Sequence, residues 1–122
     1  MTWGEIQDAA EEFYDRTSTC NFTTFVAYEW SGNTSLNNLH RNVIFRNSNV
    51  PALPISYYEQ WKPEGLWAEL KSQCIDAGTG CDVLAIPHNS NIGRDGMFSR
   101  KDSDGLALTA QQASTRAFFE PI

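Results

Sequence analysis

The apolar positions near the N-terminus recur at helical spacing. Thr2-Trp3-Gly4-Glu5 is a capping-box sequence, in which a hydroxyl at the N-cap is followed three residues later by a carboxylate that reaches back to it. Apolar side chains then follow on one face of a helix: Ile6, Ala9, Ala10, Phe13 and Tyr14. The pattern predicts an amphipathic helix of about four turns that ends near Arg16.

In the next segment, side chains are expected to alternate between two faces, as in β-strands, instead of recurring at helical spacing. Thr23–Trp30 is a run of β-forming residues, and Asn42–Arg46 is a second, shorter one. The first strand has two faces, one with Phe25, Ala27 and Glu29 and the other with Val26, Tyr28 and Trp30. Between the strands, the Gly/Asn/Ser-rich segment Ser31–Asn38 lacks apolar anchors and predicts an exposed loop.

The second half of the chain predicts a helix, a strand and another helix. Pro63-Glu64 suits a first helical turn, and an apolar stripe follows: Leu66, Trp67, Leu70 and Cys74. Asp82–Pro87 is apolar on both faces, which is typical of a central parallel strand. Asn89–Gly105 predicts a long polar loop. Thr109 and Gln112 form a second capping pair, with Ala110, Ala113, Ala117 and Phe118 expected to face inward.

The predicted order is therefore α-β-β-α-β-α, with a further strand pending at Glu120-Pro121-Ile122. This alternation favours an α/β layered fold or barrel. With 122 residues, the chain is one domain or a piece of one.

The amino-acid composition argues against some classes of function. The chain is 41% hydrophobic, enough to bury a core, and 15 acidic residues against 9 basic ones give a net charge of -6. This balance argues against a nucleic-acid surface, which needs a basic footprint. We find neither a membrane-spanning run nor a signal-peptide pattern, which leaves the compartment of the protein open. Of Cys20, Cys74 and Cys81, the last two are close enough in sequence for a bridge, although buried thiols are favoured.

Three residues suggest chemistry. Glu29 shares a strand face with Phe25 and Ala27, and a carboxylate that faces a core is paired, protonated or bound to metal. His88 ends the apolar strand at the place where α/β folds put their sites. His40 precedes a strand, beside an Asn-rich loop. One Glu and two His are a plausible set of ligands for a divalent transition metal. The simpler readings are a salt bridge for Glu29 and a hydrogen-bonded, capping role for His88.

Four phrases of the sequence resemble a bacterial family, domain-of-unknown-function family 3604. They are FTTFVAYEWSGN, NLHRNVIFRN, VLAIPHNSN and RAFFEP, at 22–33, 38–47, 83–91 and 116–121. That family is similar to the PHP (polymerase and histidinol phosphatase) metallohydrolases, which are distorted (β/α) barrels with up to three metal ions. The resemblance implies that Glu29 bridges two metals and that His40 and His88 bind one of them. Zinc, manganese and iron are the candidate ions.

The resemblance implies a metal-dependent hydrolase, a phosphoesterase whose catalytic and metal-binding residues are Glu29, His40 and His88. Its substrate is expected to be a small phosphate ester, without a nucleic-acid or membrane partner. Four further residues are candidates for substrate binding: Arg41, Asn89, Asn91 and Arg94. The alternative is a non-catalytic domain that acts as a binding or structural module.

Two parts of the PHP pattern are absent from the chain. No His-x-His precedes Glu29, and no Asp-x-His follows His88. We therefore expect residues 1–122 to be a single partial domain, the middle of a PHP-like barrel truncated at both ends. The isolated chain is expected to lack efficient hydrolase activity, because a second ion would keep only the bridging Glu29 from this set.

Overall fold

A computed structural model describes residues 1–121. It contains three helices and three strands, in the predicted order α-β-β-α-β-α. The elements are α1 (Trp3–Phe13), β1 (Val26–Trp30), β2 (Arg41–Phe45), α2 (Pro63–Gln73), β3 (Val83–Pro87) and α3 (Ala110–Phe119). Single 3-10 turns lie at Thr34–Leu36, Ile75–Ala77 and Ser90–Ile92. The mixed α/β class predicted from the sequence is confirmed.

The capping box that begins α1 is present. Thr2 accepts a hydrogen bond from the backbone of Glu5, whose carboxylate accepts one from Thr2 N at 2.6 Å. The helix ends at Phe13, so the predicted extension to Arg16 is wrong. The Asp15 carboxylate accepts hydrogen bonds from the backbone N–H groups of Thr17 and Asn21. This local turn competes with continued helix.

The three strands form one antiparallel sheet in the order β1-β2-β3. The prediction that Asp82–Pro87 is a central parallel strand is therefore wrong, because β3 is an antiparallel edge strand. The two apolar faces of β3 lie in different environments. One packs into the core, whereas Leu84 and Ile86 are each 41% exposed on the other. A segment that is apolar on both faces therefore indicates a strand, but it does not establish that both faces of that strand are buried.

The core lies between one face of the sheet and α2. Trp30, Val43, Phe45 and Ala85 are almost fully buried on the sheet side. The predicted apolar stripe of α2 is confirmed, since Leu66, Trp67, Leu70 and Cys74 are all buried. The indole of Trp30 also donates to the Gln60 carbonyl at 3.0 Å, which ties β1 to the segment before α2.

The last helix is placed differently from the prediction. Its capping box of Thr109 and Gln112 is present, but Phe118 is 54% exposed and Phe119 is buried. Ala110, Ala113 and Ala117 are exposed as well. The helix presents Arg116 and Phe119 to the core, where the Arg116 guanidinium bonds to the buried residues Glu120 and Met97.

Cys74 and Cys81 form a disulfide, with their Cα atoms 5.0 Å apart, so the expectation of two buried thiols is wrong. The end of α2 and the start of β3 lie side by side, which brings the two sulfurs together. Cys20 is an exposed free cysteine.

The Ser31–Asn38 segment is a loop, but only part of it is exposed. Thr34 is buried and donates from its hydroxyl to the Trp61 carbonyl. Gly32 packs so closely on Trp30 that a Cβ there would lie 1.9 Å from the ring. Within residues 1–121, no helix has both the length and the apolar character needed to cross a membrane.

Candidate metal centre

Glu29, His40 and His88 meet at one end of the sheet. Each offers one ligand atom, and these atoms all lie within 4.8 Å of one another. His40 Nδ1 is 2.8 Å from Glu29 Oε1, and His88 Nε2 is 3.3 Å from Glu29 Oε2. The two imidazole centroids are 5.9 Å apart.

The antiparallel register explains why these three residues meet. Trp30, Arg41 and Pro87 lie side by side across the sheet. Glu29 is one residue before Trp30, His40 is one before Arg41, and His88 is one after Pro87. Because β2 runs opposite to its neighbours, its beginning lies beside the ends of β1 and β3. The backbone N–H of His88 also donates to the His40 carbonyl at 3.2 Å.

The cluster is on the solvent side of the sheet. The side chain of Glu29 is 41% exposed and each imidazole is 24% exposed. The expectation that Glu29 faces the core is wrong, because the opposite face of β1, with Val26 and Trp30, is the buried one. Glu29 is therefore accessible to an ion or a small molecule from solvent.

Local contacts keep the Glu29 carboxylate ionised. Ser31 Oγ donates to its Oε1 at 2.8 Å. This bond is the main reason that the pKa of Glu29 lies below its ordinary value, and the nearby His40 and His88 lower it further against the opposing effect of partial burial. An ionised carboxylate is the form that coordinates cations.

One ring nitrogen of the cluster has no hydrogen-bond partner. His88 Nε2 is buried and unpaired within residues 1–121, although Glu29 Oε2 is only 3.3 Å away, because the geometry does not suit a hydrogen bond. A buried polar atom without a partner is unfavourable. An unpaired imidazole nitrogen close to a carboxylate and to a second imidazole suits a metal ligand.

The residues considered for substrate binding do not all lie at this site. Arg41 is on the core face of β2, 1% exposed, and bonds to Glu120 Oε1 at 2.7 Å. Asn89, Asn91 and Arg94 are exposed on the loop that follows His88. Asn89 and Arg94 have positive φ angles of 55° and 49°, a conformation that is uncommon outside glycine.

The sequence did not reveal two sets of contacts. Ser31 donates a hydrogen bond to Glu29 in the cluster, and on the core side of the sheet Arg41, Trp67 and Arg116 all bond to the buried Glu120. In a Gly/Asn/Ser-rich loop, no sequence pattern distinguishes Ser31 from the other polar residues. Arg41 and Glu120 are 79 residues apart in the chain, a separation that carries no local signal.

The fold and the cluster together define a small antiparallel α/β domain with one carboxylate and two imidazoles at the same end of its sheet. The chain belongs to the family described as Protein of unknown function (DUF3604), whose model matches residues 1–122. No curated protein and no solved structure gives a significant match to the chain.

Proposed function

We propose that Glu29, His40 and His88 bind a divalent ion, either zinc, manganese or iron, in a metal-dependent hydrolase of phosphate esters. The observation that carries this proposal is the convergence of the chain's two histidines on one ionised carboxylate. The two imidazoles come from residues 48 positions apart in sequence, and only the sheet brings them together. A cluster of this composition suits transition metals better than calcium or magnesium, which prefer all-oxygen sites.

Each residue has a distinct role in the proposed site. Glu29 supplies the negative charge, and Ser31 fixes its orientation. His40 and His88 supply neutral nitrogen ligands, and the backbone bond between them keeps their spacing. A divalent ion bound there supplies Lewis-acid polarisation of a substrate oxygen. Asn89 and Asn91 are proposed to contact the substrate, which their exposure on the adjoining loop permits.

The PHP relationship rests on the ligand set and on the sequence phrases around it. The antiparallel pairing of these strands differs from the parallel strands of a (β/α) barrel, so strand direction does not support it. A larger PHP-like sheet is favoured by a different feature. The solvent face of the sheet carries the half-exposed Phe25, Leu84 and Ile86, which a larger domain would cover.

A non-catalytic binding or structural module is the second candidate. Direct contact of His40 with Glu29 at 2.8 Å satisfies part of the cluster without an ion. Tyr58 and Trp61, which are 96% and 53% exposed, provide aromatic surface for a ligand or partner. This function requires no metal, so metal binding separates the two candidates.

The test is a titration of the metal-stripped protein with Zn²⁺, Mn²⁺ and Co²⁺, followed by calorimetry and by the absorption bands of Co²⁺. We expect one ion per chain, and we expect Glu29→Gln to weaken its binding at least about 100-fold, beyond the 10–100-fold typical of supporting residues. Glu12→Gln, an exposed glutamate on α1, is the matched control. If wild type and Glu29→Gln bind the ions equally weakly, the metal site is rejected and the module function is retained.

The hydrolase step is tested separately with phosphomonoester and phosphodiester substrates in the presence of Mn²⁺ or Zn²⁺. We expect slow, metal-dependent turnover that is lost in His88→Ala, because a single ion stabilises only one side of the displacement. Metal binding without any metal-dependent turnover would reject the hydrolase and keep the metal site.

A further inference from the structure

A cleft lies on the other side of the sheet from the metal cluster. Its volume is about 270 Å³, just below the roughly 300–1,000 Å³ typical of small-molecule pockets. Its floor contains Arg41, Trp67 and Arg116, and its rim includes Glu64, Lys101 and Asp102. None of these residues belongs to the proposed metal site.

The floor of the cleft holds an excess of positive charge. Glu120 is 1% exposed and lies between two guanidiniums, accepting from Arg41 Nε at 2.7 Å and from Arg116 Nε at 3.1 Å. The indole of Trp67 also donates to Glu120, at 2.8 Å. One buried carboxylate is therefore shared by two guanidiniums, of which Arg41 is buried and Arg116 is partly exposed, and these three side chains together carry one net positive charge. Such a charge is unfavourable unless an anion or suitable dipoles surround it.

The hydrogen bonds show which arginine is available. Every nitrogen of Arg116 makes a hydrogen bond, because Nε donates to Glu120 and its Nη1 and Nη2 donate to the carbonyls of Ser99 and Met97 at 2.7 Å and 2.9 Å. Arg41 donates from Nε to Glu120 and from Nη1 to the Leu39 carbonyl. Its Nη2 makes no hydrogen bond within the part of the chain that the structure describes. Arg41 thus lines the cleft, is only 1% exposed, and has in Nη2 a donor without a partner.

The rim indicates the charge of the ligand. Glu64 and Asp102 already accept backbone N–H groups, from Ser103 and from Asp104 and Leu106. Together with Asp95 they place three carboxylates in the lining of the cleft, which oppose entry of a dianion more strongly than entry of a monoanion. A planar carboxylate matches a guanidinium edge and carries a single charge.

We propose that this cleft binds a small monocarboxylate, whose oxygen accepts a hydrogen bond from Arg41 Nη2. The bound carboxylate compensates the second guanidinium of the buried pair and lies against the Trp67 and Arg41 floor. The site is separate from the Glu29–His40–His88 cluster, because Arg41 and His40 are adjacent in sequence but belong to opposite sides of the sheet.

The test is an NMR titration of the native protein with sodium acetate and, separately, with inorganic phosphate, at constant ionic strength set by NaCl. The Nε–Hε signals of the arginines report binding. We expect acetate to shift the Arg41 signal saturably at millimolar concentration, and phosphate to bind more weakly. No saturable shift at Arg41, or tighter binding of phosphate than of acetate, overturns the proposal.

Two variants locate the acetate. Arg41→Met is expected to weaken acetate binding at least about tenfold, since a charge-assisted hydrogen bond is lost. Arg46→Met removes an exposed arginine that directly follows β2, and the affinity of this variant for acetate is expected to equal that of the wild type. Equal weakening in both variants would indicate general charge attraction and would reject the cleft. If Arg41→Met does not fold, the native titration decides the question.

Discussion

The backbone N–H of His88 donates to the carbonyl of His40 at 3.2 Å. This bond continues the β2–β3 ladder by one step beyond Arg41 and Pro87. The separation of the two imidazoles is therefore fixed by strand pairing, and not by the loops on either side. A site positioned by regular structure keeps its geometry better than one positioned by loops.

The two histidines are expected to affect metal binding much more than stability. His40→Ala and His88→Ala should each weaken Zn²⁺ binding at least about 100-fold, because each removes a proposed ligand. Both side chains are partly exposed and lie outside the core, so the free energy of unfolding should change by less than about 1 kcal/mol. Calorimetric titration and urea unfolding of the metal-free proteins measure the two quantities. A large loss of stability with unchanged zinc affinity would show a structural role.

Truncation of the Glu120 side chain is expected to be among the most destabilising single substitutions in this protein. Glu120→Ala leaves the buried Arg41 without its carboxylate and removes the partner of Trp67. Removing one member of a buried ion pair typically destabilises a protein by about 3–5 kcal/mol. Urea unfolding measures the change, and Glu11→Ala, which breaks the exposed pair with Arg16, is the control and should have little effect. Equal effects of the two variants would contradict the buried network.

The disulfide is expected to stabilise the protein by closing a short loop. Cys74 and Cys81 are separated by 7 positions, and replacing both with alanine should lower the free energy of unfolding by about 2–3 kcal/mol. Thiol titration of the denatured, unreduced protein should detect one free cysteine, Cys20. Cys20→Ser should leave the urea midpoint unchanged. Detection of three free thiols would exclude the bridge.

Asp15 is expected to make stability depend on pH in the acidic range. Hydrogen bonds from Thr17, first from its side chain, and from Asn21 lower the pKa of Asp15 from 3.8 to about 2. A carboxyl whose pKa is lower in the folded state stabilises it above the unfolded pKa. This contribution is lost as the pH falls from about 4 to about 2. An NMR titration of the Asp15 carboxyl carbon measures the pKa, and Asp15→Asn should flatten the corresponding part of the stability profile. A midpoint near 4 in the folded protein would contradict this prediction.

The local features of the fold were predictable from sequence. Both capping boxes, at Thr2 and Thr109, consist of residues three positions apart, and the buried stripe of α2 follows helical spacing. These features depend on neighbours in the chain. The meeting of Glu29, His40 and His88 was also predicted, because each lies at a strand end beside a polar loop.

The sequence was less informative about which surfaces are covered. Alternation along β1 separates Glu29 from Trp30, but it does not tell which of the two faces packs on a helix. The direction of β3 was misjudged for a related reason, because Leu84 and Ile86 suggested burial that one-sided packing does not provide. The short spacing of Cys74 and Cys81 permitted a bridge without showing that it forms, and the Arg41–Glu120 pair depends on a tertiary distance that no local pattern encodes.

The alternation of side chains along β1 has an evolutionary consequence. Trp30 anchors the interior, while its neighbour Glu29 is directed to solvent and to the two imidazoles. Substitutions on the solvent side change the side chains of this cluster with little effect on stability, because they leave the packed side intact. A lineage that carries this sheet can therefore replace or lose the cluster while keeping its fold. Among relatives, the side chains of the cluster should accordingly diverge faster than the fold.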